Sequence, residues 1–398
     1  MGNEIVNLMK RIAVVVCLGG VTCLAGTLMG QDAGTAQSPA LALSPSVALR
    51  VEGAADARGA VTLVSVHQKT AAPADVFANL GKQAGVRFVA WPDGLWDRHP
   101  VKQFTLDADR QPFWVVALQA ADACGLSIRR TVGGDGQTTV ELHTAKEGAI
   151  PLPMSGSGPL AIVAESIRQQ GKGDPGDGHS GLLLGLRVYA DPSLKNYRFI
   201  DVPTLDEATD DQGHSLIPPK GDKATLAPSA ALVTLHEALL AYPAQPGKRI
   251  ATVRGSMALL VASECEDFVI DPALKNAATR QIGKFTYAYQ GLERKGQGYE
   301  LMLGVKGPAE EMSVAVRDLI VSPQSILPTD AAGNRYGIGT IAATFSAKNV
   351  TGVGNALYSV VLQAQKADAG DIATITWRLP RQISTQEIRF EFHDLPMP

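Results

Sequence analysis

The chain has 398 residues, a formal net charge of −3 and 45% hydrophobic residues, enough for two or three packed domains. Its 36 basic and 39 acidic residues form no long run of either sign, so it lacks the clustered Lys and Arg that phosphate binding needs, which excludes nucleic acid as a partner. Forty glycines and 24 prolines favour turn-rich β architecture over a helical bundle.

In chain order, Lys10 and Arg11 precede an uncharged run from Ile12 to Gly30, with small residues beyond it. This describes a secretory signal over 1–30 and a destination in the periplasm or outside the cell. The alternative is an inner-membrane anchor, because 19 uncharged residues just span a bilayer, although four glycines weaken the run. Any membrane contact would run through residues 12–30. Val16 and Thr22 precede Cys17 and Cys23 where lipidation wants a small Gly or Ala. Residues 31–59, rich in Ala, Ser, Pro and Gly, are expected to be a flexible linker.

Residues 60–147 carry one pattern written twice. A slide of 40 positions sets Ala72 over Pro112, Val76 over Val116, Leu80 over Ala120 and Gly85 over Gly125. Each copy predicts strand, helix, strand. Val76, Phe77, Leu80 and Ala84, and again Val116, Ala117, Ala120, Ala121 and Cys124, form one-sided apolar faces. Gly85 and Gly125 stand where a helix end wants positive φ. The alternating runs Val86–Val89 and Leu126–Arg129 suit half-buried strands. Thr138–His143, after the Gly133-Gly134-Asp135-Gly136 turn, closes a hairpin. The expected module is a small α+β fold made of two βαβ-like units.

The stretch Pro112–Leu126, with Ala72–Val86 as its looser copy, resembles the "P-hydrophobic-x-x-A-L-x-x-L-x-x-x-x-G-hydrophobic" helix in the short N-terminal domain of secretins and TonB-dependent receptors. The resemblance covers about a fifth of the chain, and no secretin pore or receptor barrel follows it. What it implies is a protein-contact element of the cell envelope, not a catalyst.

Residues 148–158 are again linker chemistry. Beyond them come short alternating runs at Leu160–Ile167, Leu182–Ala190, Ala231–Ala238 and Lys248–Ala262, which predict a β-sandwich over 159–265. A hairpin follows, Lys284–Tyr289 against Tyr299–Leu303. Further strands are expected at Ser313–Val321, Gly339–Phe345, Leu357–Leu362, Ile372–Leu379 and Ile388–Phe392, giving an immunoglobulin-like sandwich over 266–398. Thr209-Asp210-Asp211-Gln212-Gly213-His214 and Thr329-Asp330-Ala331-Ala332-Gly333-Asn334 share one turn signature, which marks the two sandwiches as related. The region 159–398 looks like the C-terminal part of uncharacterised exported proteins of planctomycete-type bacteria, a likeness that carries no activity. The expected class is therefore α+β and mainly β: a small duplicated βαβ module followed by two immunoglobulin-like β-sandwiches.

No nucleophile elbow, P-loop or Ser-x-x-Lys motif occurs, and no cofactor is implied. His236-Glu237 begins like a zinc-protease helix, but Leu240 stands where the second His belongs and the surrounding alternation argues strand. Asp174, Asp177 and His179 on a glycine-rich loop, and Asp206, Glu207, Asp210 and Asp211, are weak candidates for a divalent ion, since both sets are also ordinary turn vocabulary. Cys124 and Cys265 suit small buried hydrophobes better than a disulfide.

The connector Trp91-Pro92-Asp93-Gly94-Leu95-Trp96-Asp97-Arg98-His99 stands out, with two tryptophans flanking a turn. They either cover the ends of a small sheet or form a contact site. Trp with Arg and Asp suits a protein partner, and Trp91 and Trp96 with Asp and His suit sugar rings. The expected function is a non-catalytic exported envelope protein that contacts a protein partner through its N-terminal module, with the sandwiches as spacers. The alternatives are a glycan- or peptidoglycan-binding protein and a hydrolase, the last needing His179, His214 and the acidic turn drawn together.

Overall fold

The computed structural model describes residues 41–42, 61–98, 104–134, 137–145, 153–170, 181–194, 196–200, 202–219, 232–273, 277–348 and 352–398. The expected signal over 1–30 lies outside them, as does all of the expected linker except Leu41 and Ala42. Among the described residues no helix is long and apolar enough to cross a membrane. The chain is mainly β.

After β1 (Leu41–Ala42), the first module runs β2 (Leu63–Ala71), α1 (Pro73–Ala84), β3 (Val86–Trp91), a short α2 (Leu95–Arg98), β4 (Phe104–Pro112), α3 (Phe113–Ala123), β5 (Leu126–Gly134) and β6 (Gln137–Thr144). The helices form where the apolar spacing places them: Val76, Phe77 and Leu80 on α1, and Phe113, Val116, Ala117 and Ala120 on α3, are buried. Gly85 and Gly125 follow at φ of 68° and 65°, as the helix ends require. Strand, helix, strand does occur twice. However, β2 pairs antiparallel with β4 in one sheet, while β3 and β5 flank β6 in another. A βαβ unit keeps its two strands parallel in one sheet. Here β6 takes the parallel place beside β3, so each copy divides its strands between two sheets.

The rest of the chain builds three five-stranded sheets. The first holds β7 (Met154–Ser157), β8 (Leu160–Gln169), β9 (Gly181–Ala190) and β12 (Val233–Ala241), with β1 paired to β8. The last holds β14 (Ala278–Ile282), β15 (Phe285–Lys295), β16 (Gly298–Pro308), β18 (Tyr336–Lys348) and β19 (Val353–Ala364). Between them lies a sheet of β10 (Tyr197–Phe199), β11 (Thr204–Asp210), β13 (Arg249–Ile270), β17 (Ile326–Asp330) and β20 (Ile372–Pro396). One end of this central sheet packs on the first, in a core with Ile162, Leu186, Phe199, Leu259 and Phe390; the same core continues into the module. The other end packs on the last, around Tyr287, Leu303, Tyr358, Ile375 and Trp377.

Strands β13 and β20 are 22 and 25 residues long and form one antiparallel ribbon through both cores. The boundary expected at Cys265 falls inside β13, and the break expected near Pro380 does not occur, because Pro380 sits within β20 opposite Cys265. An immunoglobulin domain owns all its strands; these two sandwiches share two.

The pairing is symmetric about the centre of the ribbon. Val253 lies opposite Phe392 as Ile375 lies opposite Ile270, and Ile-Ala-Thr-Val at 250–253 matches Ile-Ala-Thr-Ile at 372–375. The strand plan repeats as well. Gly158 and Gly283, at φ of 55° and 56°, turn β7 into β8 and β14 into β15. Each long hairpin that follows is irregular at its fifth to seventh residue, Ala164/Ser166 and Tyr289/Gly291. Asp210 then lies opposite Ile250 as Asp330 lies opposite Ile372.

Two local expectations fail. Ser313–Val321 is a helix, α4 (Val314–Ile320), because the Ser313 hydroxyl caps it by accepting from Val316 N–H. Cys265 is exposed, whereas Cys124 is buried in the module.

Candidate binding surface

The connector forms a tight corner. Trp91 ends β3, the Trp91–Pro92 peptide is cis, and Gly94 takes φ of 76°. Leu95 N–H then donates to Pro92 O at 3.1 Å and opens α2. Leu95 is buried. Trp96 packs against the core with its ring stacked on Phe77, 6.3 Å between centroids. Trp91 does the reverse: it is 50% exposed, and Pro92 and Asp93 beside it are exposed too. The two tryptophans are therefore not one platform. The side chains of Asp97 and Arg98, and all of His99, lie outside the described residues.

What surrounds Trp91 comes from strands distant in sequence. Parallel pairing sets Trp91 beside His143 and Val89 beside Glu141, and β5 adds Ser127 beside His143. Directly paired residues share a face, so one surface of this sheet presents Trp91, His143 and Ser127 in a row. His143 Nε2 lies 3.1 Å from Glu141 Oε2, and Glu141 is buried. Arg129 Nε–H donates to Ser127 Oγ at 3.4 Å. The surface offers an aromatic face flanked by donors and acceptors, which is the chemistry of recognition. His143 was missed in the sequence because a parallel neighbour leaves no local signal; only the alternation of Thr138–His143 pointed to the strand.

The module is held firmly behind this surface. Trp114 Nε1–H donates to Ala190 O at 2.6 Å, Tyr189 hydroxyl donates to Ile128 O at 3.2 Å, and Thr62 donates from both N–H and hydroxyl to the carboxylate of Asp191 at 2.8 and 2.6 Å. Beside these contacts, α3 and β5 form an apolar cleft with β8 and β9, about 540 Å³ including its open mouth. Leu118, Leu126, Met154 and Val163 line it, and the Arg187–Glu165 ion pair, 2.6 Å between Nη2 and Oε1, stands at its rim.

The acidic turns are structural. Asp210 Oδ1 accepts N–H groups of Gln212 and His214 at 3.0 and 2.7 Å, and Oδ2 accepts Gly247 N–H at 2.9 Å with His214 Nδ1 also at 2.9 Å. Burial alone would raise this carboxyl, but the bonds from His214, Gly247 and Gln212 outweigh it and hold it at about 2. Asp330 repeats the arrangement with Ala332, Asn334 and Gly370 as backbone donors and the Asn334 amide in place of the imidazole. Asp211 accepts Lys248 N–H at 2.9 Å, and Glu207 pairs with Arg254. These carboxylates are directed at the chain's own donors. Among the described residues no group of three or more His, Cys, Asp or Glu side chains is gathered to hold a metal. Asp174, Asp177 and His179 lie outside the described residues; of the supposed hydrolase cluster His214 and the acidic turn have described positions, and there His214 is engaged by Asp210 within the turn itself.

His236 and Glu237 alternate on β12 as a strand requires. His236 is buried against Phe199, with Nε2 2.9 Å from Thr234 Oγ1, and Glu237 points outward to Arg168. Opposite faces cannot build a zinc site. Comparison of the chain with protein-family models, with curated proteins and with solved structures finds no match.

Proposed function

We propose that this is an exported, non-catalytic protein of the cell envelope that works by protein contact, its α+β module meeting a partner through the Trp91 surface while the sandwiches serve as a spacer. The observation that carries the reading is the contrast between the two connector tryptophans: Trp96 packs on Phe77, while Trp91 stands half exposed beside His143 with exposed Asp93 at its flank. A large aromatic kept out of the core next to a partly buried polar pair is hot-spot chemistry. Firm docking of the module on the first sandwich supports it further, since a preordered surface loses little entropy on binding. A glycan platform of two indoles is less well served by this arrangement, because Trp96 is committed to the core.

The test is in-cell photo-crosslinking from position 93, with the captured species identified by mass spectrometry and Trp91→Ala as the control. One envelope protein captured by the parent and lost in the control is the expected result. Capture of peptidoglycan or polysaccharide fragments instead would replace this reading with the glycan one, and identical capture with and without Trp91 would sink both.

A further inference from the structure

The α+β module rests on the outer face of the first sandwich, where Tyr189 and Arg187 of β9 donate to the carbonyls of Ile128 and Arg129. Counted from Gly158 and Gly283, the pairs Ala161–Tyr189 and Val163–Arg187 match Thr286–Lys306 and Ala288–Gly304. The matching face of the second sandwich is therefore the outer side of the last sheet. Met302, Leu357 and Val361 on that side are part-exposed and belong to neither packed core. Residues 274–276 and 349–351, the undescribed ones beside this sheet, join Ala273 to Ala277 and Lys348 to Gly352 and are too few to cross it. Residues 43–60 run between β1 and Thr62, both held on the first sandwich.

Directly paired residues share a face, so the outer side reads in rows across the strands. One row holds Ala288, Gly304 and Leu357; the next holds Met302, Ser359 and Ala342. Neither row carries a charge. Beyond the first stands Lys306, which makes no ion pair among the described residues. Beyond the second stands Glu300 with Glu293 and Lys295, two carboxylates that share one ammonium. The face is thus apolar and small in its middle, positive at one end and negative at the other.

We propose that this face is a two-fold interface between two copies of the chain, packed sheet on sheet. β16 is the third of the five strands, so an axis lying in the face across its middle sets β16 on its own counterpart. Lys306 then faces Glu300 of the second copy, and Gly304 faces its Met302. A Cβ on Gly304 would stand 3.5 Å from Ala288 Cβ and 3.7 Å from Leu357 Cδ2, so its absence leaves a dimple that a flexible Met side chain fills. The Gln290 amide, 3.0 Å from the same point, has to swing aside. Five strands about 4.8 Å apart give a face about 24 Å wide and about 30 Å long, roughly 700 Å² on each copy and close to the ~800 Å² of a stable interface. A surface that complements itself in charge and shape is what an isologous contact requires. The Trp91 surface lies on the module, so neither proposal rests on the other.

The test is sedimentation velocity of the full chain between about 1 and about 100 µM, which should show a concentration-dependent dimer. Lys306→Glu and Glu300→Lys each set like charges opposite one another at both ends of the interface, and each should weaken the dimer at least about tenfold. Mixed in equal amounts, the two variants should dimerise as the parent does, because each copy supplies the charge that the other lacks; a merely misfolded variant would not be rescued. Leu357→Asp, with unchanged far-ultraviolet dichroism, should also be monomeric. A parent that stays monomeric throughout overturns the proposal, even if a different protein is found to bind this face. Single variants that dimerise like the parent, or a mixture that stays monomeric, overturn it equally.

Discussion

Trp114 reaches out of the α+β module to donate its indole N–H to the carbonyl of Ala190, and both residues are buried. The ring also meets Tyr189 at 5.1 Å between centroids, and the Tyr189 hydroxyl returns a bond to Ile128. The bond and the ring can be separated by substitution. Trp114→Phe keeps most of the ring and removes the donor, which should cost about 1–3 kcal/mol. Trp114→Ala also empties the site and should cost about 3–5 kcal/mol. Urea denaturation measures both, and trypsin should nick the alanine variant between residues 145 and 153 well before the parent.

The two aspartate turns should respond to acid together. Asp330 is held at about 2 by the Asn334 amide first and then by backbone N–H groups of Gly370, Asn334 and Ala332, and Asp210 is held at about 2 as described. A carboxyl depressed from an ordinary 3.8 binds fewer protons when folded than when unfolded, so its stabilisation is complete above about pH 4 and is lost as the pH falls toward 2. Asp210→Asn and Asp330→Asn should each lower the urea midpoint at pH 7. The gap to the parent should close between pH 5 and pH 2.5; a gap independent of pH would show that the charge is not what organises the turn.

His236 predicts a second, higher window. Burial pushes its imidazole down to about 4, and Nδ1 has no partner, so protonation has no compensating contact. Between pH 6.5 and 4 the unfolded chain takes up a proton that the folded chain refuses. Stability should therefore fall with pH across that range, by at most about 3 kcal/mol. His236→Leu should flatten the urea midpoint between pH 7.5 and 4.5, and an unchanged slope would reject the assignment.

Gly255 tests the ribbon. A Cβ there would meet Thr204 O at 2.3 Å and the Phe390 ring at 2.8 Å, whereas the matching position of the other sandwich holds Trp377, whose indole donates to Ile320 O at 3.0 Å. Gly255→Ala should overpack the first sandwich and cost about 1–3 kcal/mol. Since both sandwiches share β13 and β20, unfolding should remain a single transition, checked by agreement of tryptophan fluorescence with far-ultraviolet dichroism.

The parts of this fold that were legible are those whose signals are local. Helices α1 and α3 announce themselves by one-sided apolar faces and by Gly85 and Gly125, and the turns at Asp210 and Asp330 by Asp and Gly at fixed offsets. Helix α4 misleads because Val314 and Val316 favour a strand and only the Ser313 cap decides otherwise. Pro380 misleads because a proline normally ends a strand, yet here it sits in the irregular middle of the ribbon, opposite Cys265 and near Glu264 at φ of 50°. The shared ribbon could have been found from Ile250-Ala251-Thr252 and Ile372-Ala373-Thr374, which repeat with the aspartate turns before them. At the binding surface, Trp91 was legible as an oddity of composition. Its neighbour His143 and the burial of Trp96 on Phe77 depend on contacts that no local pattern encodes.

The ribbon also sets an order on synthesis. Strand β13 is made early, but the stretch of β20 that lies beside its first half, residues 384–396, emerges only after the whole second sandwich. Until then the first sandwich holds an unsatisfied strand edge and an open core where Phe390 and Phe392 belong. The later sandwich can gather its own sheet first, and the earlier one closes around a strand delivered by its successor.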